Sequence, residues 1–481
     1  MRVRYDSVYA LSTATIQLIE LGKLDQALRL IHDFVERIIT EPLCTSEVFG
    51  SEILDALCQQ IGQLNLARLA ASTARAPISE VLCVYIVSKV QKSGGHTRVI
   101  EDFIRARPDA RHMIWSTELD GHSDTDYIAQ NICKNDNVSF ERGPKGDYLA
   151  RLNWLQHGLL SVRPHKVYLF NHHQDSVAVA AIQPAMGLDA VFYHHGDHHL
   201  CLGVFLPDLQ HIDPHPMGYH HCRSVLGIDN VYVPLTVDDK HGIAEDRVFL
   251  HAGGLTTCTA AKSNKVEIPY FVSYLDMVPR IILAGGGRHV HIGRLSWWAL
   301  ARIRRGLKQY GIAADRFIYL PWVASVWRTL QEYQVDLYIA SFPYGGGLTL
   351  IEAMGAGIPV ALHRHISSRI LSCIELAYPQ AFSWRDPEAL LSYCRGLDRA
   401  TLQQQAAMAR LHYQMFHRHQ VLHDALHGIA IAQPVAASAW SPFIPAMDER
   451  GFWMERQLSL KRMAARLAYR TAKKLRAILQ P

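Results

Sequence analysis

The chain of 481 residues lacks an uninterrupted apolar run of about 18 residues, the length that a membrane-spanning helix needs. The stretch 176–193 comes nearest, but Gln183, Pro184 and Asp189 interrupt it. Charged residues also interrupt the first 26 positions, so they lack the continuous apolar segment of a signal peptide. We therefore expect a cytoplasmic protein.

The nine cysteines are odd in number, widely scattered and never spaced as C-x-x-C. That spacing is typical of structural zinc sites and of dithiol redox sites. We therefore expect reduced, mostly buried thiols, and we expect no metal site.

Basic and acidic residues nearly balance one another outside one segment. The net charge is +5, but eight basic residues and no acidic residue lie in 456–481, so positions 1–455 hold 41 basic and 44 acidic residues. This slightly acidic body argues against a broad nucleic-acid-binding surface. The segment 456–481 has the apolar stripe of an amphipathic helix, which leaves two hypotheses: peripheral contact with an anionic membrane, such as the inner face of the cell membrane, or a helix with a solvated basic face.

Apolar periodicity divides the chain into a helical start and two blocks of alternating strands and helices. Leucine and isoleucine recur at spacings of three and four in 7–75, which predicts helices. Strand-like runs then alternate with amphipathic helices, and the pattern restarts after Pro234. We expect an α/β protein with two Rossmann-like domains facing one another across a cleft. The expected boundaries are 1–78 (helical), 79–235 (first Rossmann-like domain), 236–435 (second) and 436–481 (C-terminal helices).

Strand positions follow from short apolar, β-branched runs. In the first block the expected strands are 81–87, 112–115, 166–170, 190–193 and 230–233. In the second block they are 247–251, 280–284, 289–292, 316–319, 336–340 and 359–362.

The most informative segment is 341–360, SFPYGGGLTLIEAMGAGIPV, which follows an expected strand and opens an expected helix. Its three glycines fall at a helix N-terminus, where free backbone N–H groups and the helix dipole favour an anion. Thr349 can add a hydroxyl group, and Glu352 can accept hydrogen bonds from a ribose diol. A tight turn is the alternative explanation for the glycines alone.

This segment resembles the donor-site signature of GT-B glycosyltransferases, F-G-x-x-x-x-E-A-x-A-x-G-x-P-V. The resemblance covers residues 81 to about 430 and is strongest from 316 to 362. It implies a nucleotide-binding second domain, an acceptor-binding first domain, no cofactor and no obligatory metal, with a UDP-sugar as the expected donor. The implied donor contacts are Gly345, Gly346, Gly347, Leu348, Thr349 and Glu352.

Tyr344 stands where many retaining members carry an acidic residue, eight positions before the ribose carboxylate. In this respect the chain resembles the O-GlcNAc transferases and the bacterial adhesin N-glycosyltransferases. That branch implies a bacterial enzyme of protein glycosylation with a protein or glycan acceptor. The helices of 7–75 resemble, loosely, the helical domains of the adhesin enzymes. Retention or inversion stays open.

Two lysines in the segment 260–267 are candidates to stabilise a leaving diphosphate without a metal. They follow Gly253 and Gly254, where we expect the first strand of the second domain to end. Lys265 resembles the phosphate-binding lysine of O-GlcNAc transferases, and Lys262 is the second candidate; a solvated surface lysine is the alternative.

Trp322 lies in a loop that resembles the nucleobase-binding loop of the same fold. Core packing is the alternative for Trp322.

Histidine is abundant, with 27 residues, and it clusters in 193–203 and 213–222. Three hypotheses compete: a metal site, packed histidines without a role, and an acceptor or catalytic loop. The spacing matches no familiar metal signature. The first cluster begins where the strand 190–193 ends, and ligands of parallel sheets gather at such ends, which favours the third hypothesis.

An inverting transfer needs a base for the acceptor proton. The first cluster also resembles an N-H-A-D-H-x-F-W-L-G stretch of some bacterial glycosyltransferases. Asp197 is the first candidate base, followed by His198 and His194. His96 is another, because a histidine after the first strand is the base in some inverting GT-B enzymes; helix capping by its neighbour Thr97 is the alternative.

The sequence therefore predicts a metal-independent glycosyltransferase that acts on a hydroxyl or amide acceptor. Two alternatives differ in class. One is a nucleotide-sugar 2-epimerase, which needs no acceptor, and the other is a non-catalytic subunit that binds nucleotide sugars.

Overall fold

Continuous apolar strands build two parallel sheets in this protein, as seen in a computed structural model. The structure describes residues 7–40, 48–70, 77–92, 95–119, 121–196, 199–240, 247–251, 253–268, 270–366, 368–439 and 441. The described strands form one seven-stranded and one six-stranded sheet, and all strand pairs in both are parallel. The expected pair of Rossmann-like domains is confirmed.

The first half of the chain starts with helices and continues as alternating helices and strands. Its elements are α1 (Val8–Glu20), α2 (Leu24–Thr40), α3 (Glu52–Ala70), β1 (Ser79–Val87), α4 (Gly95–Arg105), β2 (Arg111–Ser116), α5 (Thr125–Tyr127), β3 (Val138–Arg142), α6 (Tyr148–Val162), β4 (Pro164–Phe170), α7 (Ser176–Ala181), β5 (Ala190–Tyr193), β6 (Gln210–Asp213), α8 (Pro216–Ser224) and β7 (Asn230–Tyr232).

The first sheet has the strand order β3-β2-β1-β4-β5-β6-β7. The order reverses between β1 and β4, and a reversal of this kind opens a crevice at the carboxyl ends of the strands. The strand β1 is apolar at successive positions because both of its faces are covered: Tyr85 packs on one side and Val84 and Ile86 on the other.

The three N-terminal helices belong to the core of the first domain. Their leucines share one apolar cluster with α6, α7 and one face of the first sheet. The carboxylate of Asp55 accepts hydrogen bonds from the backbone N–H groups of Gly203 (2.7 Å) and Phe205 (2.9 Å), and burial raises the pKa of Asp55 to about 7. The helices α1–α3 therefore hold the loop after β5 as well as the sheet.

The second half repeats the alternation. Its elements are β8 (Thr256–Ala260), α9 (Ser263–Val266), α10 (Tyr274–Gly285), β9 (Arg288–Ile292), α11 (Trp297–Gln309), β10 (Phe317–Leu320), α12 (Val326–Glu332), β11 (Leu337–Ile339), α13 (Gly347–Gly355), β12 (Val360–His363), α14 (Arg369–Ser372), β13 (Phe382–Trp384), α15 (Pro387–Gly396), α16 (Arg399–Phe416) and α17 (His419–Leu426). The strand order is β10-β9-β8-β11-β12-β13.

Two expected strands of this half are wrong. The segment 280–284 is the end of helix α10, whose Pro279 lies inside the helix and breaks the helical pattern in the sequence. The segment 247–251 is irregular, and the first strand is instead β8, which follows Gly253 and Gly254 rather than preceding them. This buried strand was missed because three of its five residues are threonines, whereas we predicted strands from runs of apolar residues.

The chain returns to the first domain near its end. Helix α17 packs against α4, and the guanidinium group of Arg107 donates a hydrogen bond to the carbonyl oxygen of Leu426 (2.6 Å). The expected basic helix at 456–481 lies outside the described residues. Among the described helices, none is long and apolar enough to cross a membrane.

Candidate donor and acceptor site

The carboxyl edges of the two sheets meet at the start of helix α13. A Cβ atom at Gly95, the first residue of α4, would lie 3.3 Å from Leu348 Cδ1. A Cβ atom at Gly347 would lie 3.1 Å from His215 Nε2, which belongs to the first domain. The glycines at these positions let the two edges approach closely, and the site lies between them.

Lys265 lies directly on the glycine loop, which we define as Gly345, Gly346 and Gly347. Its Nζ donates a hydrogen bond to the carbonyl oxygen of Gly345 (2.7 Å), and its own carbonyl oxygen accepts from the N–H of Tyr344 (3.4 Å). The side chain is half-buried, and burial lowers its pKa. Lys262 is exposed at the residue that precedes α9. Of the two candidate lysines, Lys265 is therefore the one that can reach an anion at the glycine loop.

The backbone of the glycine loop is accessible because its residues have no side chains, and at Gly346 there is no room for one. A Cβ atom at Gly346 would lie 2.8 Å from Thr349 Oγ1 and 3.4 Å from Lys265 Nζ. The hydroxyl of Tyr338 donates to Thr349 Oγ1 at 3.0 Å, which orients the threonine. Gly346 immediately precedes α13, so N–H groups, one hydroxyl and one amine converge there. This combination can hold a diphosphate.

Glu352 lies one turn further along α13, beside the start of α12. Its Oε2 accepts a hydrogen bond from the N–H of Trp327 (2.8 Å). Burial raises the pKa of Glu352, although this backbone bond acts in the opposite direction. The carboxylate thus caps α12 in addition to any contact with a ribose.

Trp322 is 70% exposed in the loop between β10 and α12, so the alternative that it is a core residue is wrong. This loop leads into α12, whose Trp327 N–H donates a hydrogen bond to Glu352. An exposed indole at this edge is suited to stacking on a base.

The facing edge of the first sheet is lined by histidines. His96 is buried at the start of α4, with ring centroids 5.0 Å from His172 and 4.8 Å from His195. Burial, followed by the charges of His195 and His172, lowers the pKa of His96 well below its ordinary value. Neither ring nitrogen of His96 meets hydrogen-bond geometry with a described residue. A neutral imidazole of this kind can accept a proton.

The other candidate bases lie elsewhere or outside the description. Asp197 and His198 fall in a gap of the described residues. His194 is 1% exposed, and its Nδ1 lies 3.0 Å from Asp213 Oδ1, away from the cleft. Thr97 does not cap α4, which begins at Gly95; its hydroxyl accepts from the N–H of Gln91.

The structure adds histidines that the sequence analysis did not name individually, although three of them lie in the clusters 193–203 and 213–222. His172 and His195 pack on His96, His215 reaches the glycine loop, and the rings of His199 and Tyr344 lie 6.4 Å apart across the domains. Each histidine follows a strand end of the first sheet. That position was the available signal, because such ends gather ligands in parallel sheets.

No protein-family model and no curated protein matches the chain. Among solved structures, Anabaena HepE in complex with UDP has a TM-score of 0.50 at 12% identity, covering 72% of this chain and 98% of HepE. A variant of Thermobaculum terrenum O-GlcNAc transferase has a TM-score of 0.49 at 15% identity, covering 87% of this chain and 82% of the transferase. The lipopolysaccharide outer core galactosyltransferase WaaB has a TM-score of 0.48 at 16% identity, covering 72% and 99%. The fold, two facing Rossmann-like domains, is the GT-B fold, as in HepE.

Proposed function

We propose that the protein is a glycosyltransferase that moves a sugar from a UDP-sugar to a protein or glycan acceptor between its two domains, without a catalytic metal. One observation carries the proposal: the glycine loop with Lys265 and Glu352 faces a histidine-lined edge across a close domain contact. The first half of this arrangement suits a nucleotide, and the second suits a proton acceptor. That HepE binds UDP supports uracil as the base of the donor.

The donor half would bind the diphosphate at the start of α13. Lys265 supplies a positive charge within reach of the Gly345 carbonyl oxygen, and the N–H groups after Gly346 supply donors. These groups would stabilise the negative charge that develops on the leaving diphosphate, the role that a metal ion has in other enzymes. Glu352 would accept from the ribose hydroxyl groups, and Trp322 would contact the uracil.

In the transfer, an oxygen or nitrogen of the acceptor would bond to the anomeric carbon of the sugar. The bond from that carbon to the phosphate oxygen breaks, and the diphosphate leaves with the electron pair. A base must take the acceptor proton, and His96 and Asp197 are the proposed bases. The lowered pKa of His96 leaves the imidazole neutral at physiological pH, but it also makes the imidazole a weaker base. The proposed role therefore depends on the position of His96 among the histidines of this edge.

The branch of O-GlcNAc transferases and adhesin N-glycosyltransferases is part of the proposal. Tyr344 in place of an acidic residue supports it. We accordingly place the enzyme in the bacterial cytoplasm, in protein glycosylation, with peripheral membrane contact through 456–481 as a further hypothesis.

Thermal-shift titration with UDP-, ADP- and GDP-sugars tests the donor. A ligand present at about 100 times its dissociation constant stabilises the folded chain by about 2.7 kcal/mol, so a UDP-sugar should raise the melting temperature most. A UDP-sugar that epimerises without an acceptor would identify the epimerase alternative. Binding without turnover on any acceptor would identify the non-catalytic subunit, and no shift with any nucleotide sugar would contradict all three functions.

A further inference from the structure

Three neighbouring elements of the first domain bring four potential metal ligands together, away from the glycine loop. His194 directly follows β5, His211 and Asp213 lie two residues apart on β6, and Cys222 lies on α8. All four residues are at most 4% exposed. Their ligand atoms lie within 4.8 Å of one another.

The separations between the ligand atoms are within about 0.3 Å of the edges of a tetrahedral zinc site. Bonds of about 2.0–2.3 Å from zinc to nitrogen, oxygen and sulfur place neighbouring ligand atoms about 3.3–3.6 Å apart. His194 Nδ1 lies 3.0 Å from Asp213 Oδ1 and 3.4 Å from Cys222 Sγ, and Cys222 Sγ lies 3.5 Å from Asp213 Oδ1. His211 Nε2 lies 3.2 Å from Asp213 Oδ2.

Hydrogen bonding alone does not account for the cluster. His211 Nε2 is within reach of the Asp213 carboxylate, yet its direction does not meet hydrogen-bond geometry with any described residue. Asn230 Nδ2 donates to Asp213 Oδ2 at 2.6 Å, the outer support that ligating carboxylates commonly have.

The charges balance for a divalent cation. One thiolate and one carboxylate cancel the charge of a Zn²⁺ ion, and the two imidazoles are neutral, so the occupied site can be buried without net charge. A donor set of nitrogen, oxygen and sulfur favours zinc over the hard cations magnesium and calcium. We propose that His194, His211, Asp213 and Cys222 bind one Zn²⁺ ion that holds β5, β6 and α8 together.

The site is structural, because four protein ligands leave no open position for a substrate. Its effect on the cleft is through the chain: His195 follows His194, and His215 precedes α8. Both of these histidines face the cleft. The metal would therefore fix the histidine-lined edge while leaving the chemistry to other groups.

The proposal is tested with the full chain loaded with Co²⁺ in place of zinc. Tetrahedral Co²⁺ with a thiolate ligand gives intense visible bands and a sulfur-to-metal charge-transfer band in the near ultraviolet. We expect both in the wild-type chain and loss of the charge-transfer band in Cys222→Ala. Cys394→Ala, which removes a buried thiol of the second domain, is the matched control and should keep both.

Metal analysis of the protein purified from zinc-supplemented cells adds a second measurement. We expect about one zinc per chain, and a chelator should lower the melting temperature of the wild-type chain but not that of Cys222→Ala. If Cys222→Ala does not fold, Cys222→Ser provides the same comparison. A Co²⁺-loaded wild-type chain without the charge-transfer band, or wild-type protein without bound zinc, overturns the proposal whatever the enzyme activity.

Discussion

The two edges of the cleft differ in the residues that form them. The edge of the second sheet consists mainly of backbone, a threonine and a glutamate within the continuous segment 341–360, to which Lys265 and Trp322 are added from outside that segment. The edge of the first sheet consists of histidines delivered by four different strand ends, at 96, 172, 195 and 215. In the proposed function, the diphosphate would bind at one helix start, whereas the residues that would take a proton from the acceptor come from several elements.

The first prediction tests this difference between the two edges by removing the proposed base from the histidine-lined edge. We expect His96→Ala to lower kcat by about 10²- to 10⁴-fold, the usual contribution of a general base, without changing the affinity for UDP. Steady-state kinetics with calorimetry of UDP binding measures both. His165→Ala, an exposed histidine at the opposite end of β4, should leave both unchanged.

Unchanged kcat in His96→Ala would exclude His96 as the base. Asp197→Ala then becomes the decisive variant, since Asp197 is the other proposed base. A parallel loss of UDP affinity would instead mean that the two edges do not have separate tasks.

The second prediction separates the two lysines. Lys265→Ala should lower kcat/KM by about 10²- to 10³-fold, the range seen when one group that stabilises transition-state charge is removed. Lys262→Ala is the matched control, because Lys262 is exposed and three residues away. Equal effects of the two substitutions would contradict the role that the Lys265–Gly345 contact gives to Lys265.

The arrangement of the glycine-loop edge was predictable from the sequence, and the arrangement of the histidine-lined edge largely was not. The glycines, Thr349 and Glu352 lie close together in the sequence. Their arrangement depends only on the strand before them and the helix that they begin, which are β11 and α13 in the structure. Lys265 was a candidate in the sequence analysis even though the strand that precedes it was expected before Gly253 and lies after it. The resemblance of Lys265 to a phosphate-binding lysine did not depend on the position of that strand.

The contacts among the histidines depend on sheet order, which no local pattern contains. His194, which follows β5, lies beside His211 of β6 only because β5 pairs with β6. Cys222 joins them because α8 packs on β6. Ligands at 194, 211, 213 and 222 therefore match no familiar spacing. For the same reason, the sequence could not tell that His194 points away from the cleft while His195 lies beside His96.

The third prediction concerns Glu352, which has two tasks at the donor edge. Glu352→Ala should weaken UDP binding by about 1–3 kcal/mol through loss of a hydrogen bond to a charged group. It should also lower the melting temperature, because the N–H of Trp327 loses its partner. Glu332→Ala, an exposed glutamate at the end of α12, is the control. A lower melting temperature with unchanged UDP affinity by calorimetry would leave only the capping role.

The smallest effect sharpens the comparison by showing that histidines of the second domain have a different task. His289 and His291 lie inside the second sheet, where both face the hydroxyl of Tyr274. Burial, with the mutual charge as a further cause for His289, lowers the pKa of His289 to about 3 and that of His291 to about 4. These histidines are packed as neutral side chains in the core.

Because the pKa values are lowered on folding, the unfolded chain binds protons below pH 6.5 while the folded chain does not. Stability should therefore decrease as the pH falls from 7 to 5, by about 1–2 kcal/mol for each such histidine. In urea titrations, His289→Gln should lose less stability over this interval than the wild-type chain does. An unchanged pH dependence in His289→Gln would show that folding does not lower the pKa of His289, and would contradict its assignment as a neutral core side chain.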